Sequence, residues 1–187
     1  MNPKTTFMIL SSLVCAVFAL TPNALKVDFE TVAQKTVSFD NTITAFSTNA
    51  EPDVFAVISI ILATDDLSSA EEKITKDLGA TTPAMLALSE TDALDILSIA
   101  SNYELALKHG LMLLVEKKPE ISALVLGLSD LLLVPILRDA LVRLSVATLN
   151  IGPTLRHFLP TDDDSSEMII GTNFNVDFVE VLSAYDP

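Results

Sequence analysis

The sequence predicts an all-α protein, an antiparallel bundle of about five helices. Half of its residues are hydrophobic, and they recur at three- and four-residue spacing with no strand-like alternation longer than a few residues. Only five glycines and nine prolines punctuate the 187 residues, so the periodic segments are long and the breaks between them short. Such segments joined by short loops pack as a bundle, and the four-residue period without a strict heptad argues against a coiled coil.

The N-terminal stretch MNPKTTFMILSSLVCAVFALTPNA carries one charge, Lys4, followed by an apolar run from Phe7 to Leu20. That run is short for a membrane span, and Val17 and Ala19 fit the small-residue rule for cleavage. Residues 1–19 are therefore expected to be a signal peptide and residues 20–187 a single secreted, extracellular domain. Cys15, the only cysteine, would leave with the signal, so the remaining domain must be held by its core rather than by a disulfide.

The first helix is expected from about Phe29 to Phe46, where Val32, Phe39, Ile43 and Phe46 share a face, and Pro52 marks the turn after it. The second runs from Asp53, an N-cap, to Leu78. Val57, Ile60, Ile61, Ala63, Leu67, Ala70, Ile74 and Leu78 form its stripe, Asp65 and Asp66 its solvent face, and Gly79 a left-handed stop. The third opens on Ser89 and Asp92 as a capping box and carries Ala93, Leu97, Ala100, Tyr103, Leu107, Leu111 and Leu114 on one face. Lys117 and Lys118 suit its negative end, and Pro119 is expected to start the next element. The fourth holds the segment Ile121–Leu137 and continues to Asn150, and the fifth follows Asp162, Asp163 and Asp164 with Ile170, Phe174, Phe178, Val181 and Tyr185 at helical spacing.

Segment Ile121–Leu137 has twelve apolar residues in seventeen. A span needs about twenty, and a central Asp130 costs on the order of 3 kcal/mol in a bilayer, so the mature chain is not expected to cross a membrane. Apolar on nearly all sides, the segment reads as a central core helix, or as one whose surplus apolar surface lines a cavity or an exposed patch. Pro135 is expected to kink it between Leu133 and Ile136 and to open a gap in the core. With Lys4 removed, ten basic residues face 25 acidic ones, a net charge of −15. That balance repels nucleic acid and anionic membranes and keeps an apolar chain dispersed. The C-terminus, SAYDP, shows no hydrophobic tail, so a lipid anchor there is not expected.

The order of segments resembles the fungal hydrophobic surface-binding protein A family, which includes cell wall galactomannoproteins. The resemblance spans about Val27 to Tyr185 and rests on FDNTITAF, KKPEISAL and NVDFVEVLSAY. It implies a secreted, all-helical, non-enzymatic protein that adsorbs to hydrophobic surfaces, with a polyester hydrolase recruited to its solid substrate as one described role. Galactomannoprotein relatives hold long-chain fatty acids between their helices. Pro135 departs from the pattern, and the Ser/Thr-rich tail of wall-linked members is missing. No individual binding residue is carried over from the family.

No catalytic set is visible. GLSDL, Gly127–Leu131, begins like a nucleophile elbow but has Leu131 where a second glycine belongs. His109, expected near the end of helix three, and His157 in a loop lack metal-ligand partners at helical spacing. The acids 162–164 lack the glycine and glutamate of a calcium loop and read as a solvated helix start. No enzyme activity, cofactor or metal is expected. A bound fatty acid would need an apolar slot, for which Ile60, Ile61, Leu111, Leu128, Leu132, Ile136, Phe174 and Phe178 are candidates. It would also need donors for its head group, for which Tyr103, Lys117, Arg138 and Arg143 are candidates. The other reading is a cell-wall-associated structural or antigenic protein whose core is simply full.

Overall fold

A computed structural model describes residues 20–49, 52–125, 133–159 and 177–186. The expected signal peptide, the stretch containing Asp130 and the segment from Asp162 through Phe174 lie outside the described residues. Five helices are described: α1 Pro22–Thr48, α2 Val54–Gly79, α3 Glu90–Val125, α4 Leu133–Arg156 and α5 over 177–184. No strand occurs among the described residues.

Helix α1 begins seven residues before Phe29 because Thr21 caps it: its hydroxyl accepts from the Ala24 amide at 3.1 Å, and Pro22 occupies the first turn. Asp53 caps α2 in the same way, accepting from the Ala56 amide at 2.9 Å. The expected left-handed stop at Gly79 is not adopted. The helix ends instead on Ala80 in right-handed geometry, its amide bonded to the Lys76 carbonyl. The capping box of α3 forms as expected: the Asp92 amide donates to Ser89 Oγ at 3.1 Å and the Ser89 amide to Asp92 Oδ2 at 3.2 Å.

Two proline expectations are corrected. Helix α3 does not stop at Lys118 but runs through Pro119 to Val125. An interior proline costs a helix about 3 kcal/mol. Here Lys117 and Glu120 bridge it at 3.0 Å, and Ile121 is fully buried beyond it, so packing outweighs the break. Helix α4 is described from Leu133, and Pro135 lies within its helical residues; the residues before Leu133, on which the expected kink also depends, lie outside the described residues. At its other end α4 passes Asn150 and continues through Pro153 to Arg156.

Side-chain pairs fix the directions. Lys26 meets Asp95 at 2.7 Å and Asp40 meets His109 at 2.6 Å, so α1 and α3 run side by side in the same direction. Asp28–Lys73 at 2.7 Å and Lys35–Asp66 at 2.8 Å set α2 antiparallel to α1. Helix α4 lies along α2 and parallel to it: Arg143 reaches Asp65 and Glu72, Thr148 meets Glu71, and Asn150 lines one groove with Lys76. Successive helices thus alternate in direction, while the broadest interfaces, α1 with α3 and α2 with α4, join parallel helices. The pairs meet along α1–α2, whereas α3 touches α2 and α4 only slightly. Helix α5 bridges α3 and α4: Asp177 lies 3.6 Å from Lys108, the Tyr185 hydroxyl donates to the Leu114 carbonyl at 3.0 Å, and Asp186 meets Arg138 at 2.8 Å.

The core runs the length of the bundle. Leu25, Phe29, Val32, Phe39, Ile43 and Phe46 from α1 meet Val57, Ile60, Leu67 and Ile74 from α2, Ile96, Leu107, Leu111 and Leu114 from α3, and Leu137, Leu141, Leu144 and Ile151 from α4. Packing is close at Gly110, where a β-carbon would stand 2.7 Å from the Phe39 ring. No described helix is long and apolar enough to cross a membrane.

Candidate functional site

The interior is not wholly apolar. Thr36 on α1, Thr64, Ser68 and Glu71 on α2, Tyr103 on α3, and Ser145 and Thr148 on α4 are all buried. Four of the hydroxyls satisfy themselves on their own helices: Thr36 donates to the Val32 carbonyl at 2.9 Å, Thr64 to Ile60, Ser68 to Thr64 and Ser145 to Val142, each at 2.8 Å. They narrow the helices without leaving an unmet donor in the core.

Glu71 differs. Its side chain is fully buried, and its Oε2 lies 2.7 Å from the Thr148 hydroxyl oxygen, which lies 2.9 Å from the Leu144 carbonyl. A hydroxyl has one proton and cannot donate to both. Both contacts become hydrogen bonds if Glu71 is protonated: its Oε2–H donates to Thr148, and Thr148 donates to Leu144. Burial pushes the Glu71 pKa up from 4.5 to about 8, and the bond that Thr148 can donate to the ionised form only partly opposes the rise, so the acid is neutral below that pH. Its other oxygen, Oε1, is buried with no hydrogen-bond partner among the described residues. Burial, with Glu71 and Glu104 adding to it, also raises the Tyr103 phenol well above its ordinary range, which places that hydroxyl within electrostatic reach of Glu71.

The candidate head-group cations stand elsewhere. Arg143 is on the outer edge of α4, doubly bonded to Glu72 at 2.6 and 2.7 Å. That bond holds the Glu72 carboxyl below its usual range and raises Arg143. Lys117 lies against Glu116 and Glu120, whose bonds raise its ammonium. Arg138 bonds Asp186 through one terminal nitrogen, while its Nε is buried without a partner among the described residues. Only Tyr103 of the four points into the core, so the structure does not bring them together. Among the apolar candidates, Ile60, Ile61, Leu111 and Phe178 are buried, Ile136 is 45% exposed, and Leu128, Leu132 and Phe174 lie outside the described residues. His109 is in mid-helix, bonded to Asp40, rather than near a helix end.

Glu71 and Thr148 were not among the sequence candidates. Glu71 falls four residues after Leu67 and three before Ile74, on the apolar stripe itself, and a lone acid at a core position is the signal that could have found it.

The outside carries apolar surface of its own. Residues 54–64 of α2 contain no charge, and within them Phe55 is 75% and Leu62 61% exposed. A groove of about 590 Å³ runs beside them between α1 and α2, lined by uncharged side chains that include Val37, Thr42, Ala45 and Ser59. The acids and bases of α2 all lie from Asp65 onward.

These features define a helical bundle with a buried polar band in its core and apolar side chains exposed on the first turns of α2. A solved structure with this fold is that of AfMP4p in complex with palmitic acid. It matches at a TM-score of 0.72, covering 88% of this chain and 99% of that one, at 16% sequence identity. No protein-family model matches the chain, and no curated protein matches it by sequence.

Proposed function

We propose that this chain is a secreted, non-enzymatic protein that binds long-chain fatty acids or related lipids and adsorbs to apolar surfaces. The observation that carries the reading is the fold, shared over nearly the whole length of a protein whose structure holds palmitic acid. Two features of this chain support it. The polar groups of its interior are uncharged or neutralised, so an aliphatic chain would meet no buried ion there. Near the end where α1 finishes and α2 begins, α2 exposes Phe55 and Leu62, which suits adsorption to wax or lipid. Recruitment of a secreted polyester hydrolase to a solid substrate fits the same surface, and cell-wall association fits the same export route.

Native mass spectrometry of delipidated protein with palmitate tests the first half, and depletion from solution by wax or Teflon beads tests the second. A one-to-one lipid adduct and loss onto the beads are expected. Neither adduct nor depletion would leave the wall-associated structural protein as the better reading.

A further inference from the structure

We infer that the Glu71 carboxyl anchors the head group of a lipid taken into this bundle, and that it selects an uncharged head bearing a hydrogen-bond donor, a long-chain alcohol or a protonated fatty acid, over a carboxylate ion. This rests on the lipid-binding reading above and gives that site its ligand chemistry.

Three observations converge on it. Glu71 Oε1 is a fully buried acceptor without a partner among the described residues, and such a group is costly unless something donates to it. With Glu71 neutral through burial, satisfying both Thr148 contacts places its proton on Oε2 and leaves Oε1 as a carbonyl-type acceptor. No lysine, arginine or histidine is among the buried residues described, and Arg138 brings only its Nε out of water.

The surroundings of Glu71 offer no compensation for an anion. The buried residues of α1 and α4 include no titratable group, Tyr103 is the titratable group buried from α3, and Tyr185 of the terminal segment is bonded to Leu114. A carboxylate beside Oε1 would set acceptor against acceptor in an apolar medium, where an unpaired charge is strongly disfavoured. A hydroxyl or a protonated carboxyl instead donates to Oε1 and completes the hydrogen-bond chain that runs through Thr148 to Leu144.

Binding of dodecanol, dodecyl methyl ether and dodecanoate to the delipidated protein tests this. The alcohol is expected to bind about tenfold more tightly than the ether, which lacks a donor. Glu71→Gln keeps a carbonyl oxygen in place and should preserve that gap, whereas Glu71→Leu should abolish it. Dodecanoate must regain a proton to bind, so its affinity should fall about tenfold per pH unit above the ordinary carboxyl range. Equal binding of alcohol and ether by the wild-type protein would overturn the inference. So would dodecanoate binding that is flat with pH and lost in Arg138→Leu, which would place an ionised head at the orphan Nε and leave the lipid-binding reading intact. If none of the three probes binds, both readings fall.

Discussion

Replacing Glu71 by Gln should change the pH dependence of stability more than any other single substitution. In the unfolded chain this carboxyl ionises near its ordinary 4.5, and in the fold it stays protonated to about 8. Between those values the native state holds a proton that the unfolded state has released, so stability falls as pH rises, by about 1.4 kcal/mol per unit. The contribution is fully present below the unfolded value and is lost as pH climbs to the folded one. Over the whole window the loss is on the order of 5 kcal/mol, a large share of a domain's stability. Gln cannot ionise, and its amide can donate to Thr148 as the protonated acid does, so the variant escapes this loss. Urea unfolding of both proteins, followed by circular dichroism at a series of pH values, measures the difference directly. Near pH 5, at about the unfolded value, the two should have similar midpoints, and near pH 8 the variant should be the more stable by several kcal/mol. Contributions from the other titratable groups are common to both chains and cancel in the comparison. Two curves that run parallel throughout would show that Glu71 is not held neutral, and the proton assignment at Thr148 would be wrong.

Three further outcomes are expected. Gly110→Ala should destabilise the protein by about 1 kcal/mol in thermal unfolding: overpacking a buried ring costs about 1–3 kcal/mol and exceeds the gain in helix propensity, because the new β-carbon would stand 2.7 Å from Phe39, which has nowhere to go. Phe55→Ser combined with Leu62→Ser should reduce depletion onto wax beads severalfold while changing stability by less than about 1 kcal/mol, since both side chains are largely exposed. Pro135→Ala should leave helix content by circular dichroism unchanged, because the residues from Leu133 onward are helical with the proline in place; a clear rise would support the kink that the sequence suggests.

Much of the fold could be read without coordinates. The stripe Val57, Ile60, Ile61, Leu67, Ile74 and Leu78 predicts α2 and its buried face, and the Ser89–Asp92 box predicts the start of α3, because periodicity and capping act within one or two turns of chain. The proline boundaries were read less well. Whether a helix tolerates Pro119 depends on Ile121 being buried against other helices, which the local sequence does not record.

The site divides along the same line. Ile60, Ile61, Leu111 and Phe178 are legible as interior residues from spacing alone, but three of the four head-group candidates are cations, and charge seeks water or a partner. Arg143 found Glu72 and Lys117 found Glu120, pairs that are distant or local in sequence but alike in keeping both cations away from the core.

The sequence by itself determined an all-helical chain, its apolar surplus and its acidic balance, because each of these is a sum or a short-range pattern. Only the tertiary structure decided that α1 lies parallel to α3 and α2 to α4, and that an acid of α2 faces a hydroxyl of α4 away from water. The neutrality of Glu71 is a property of that enclosure: the same carboxyl on an exposed helix face would be an ordinary anion.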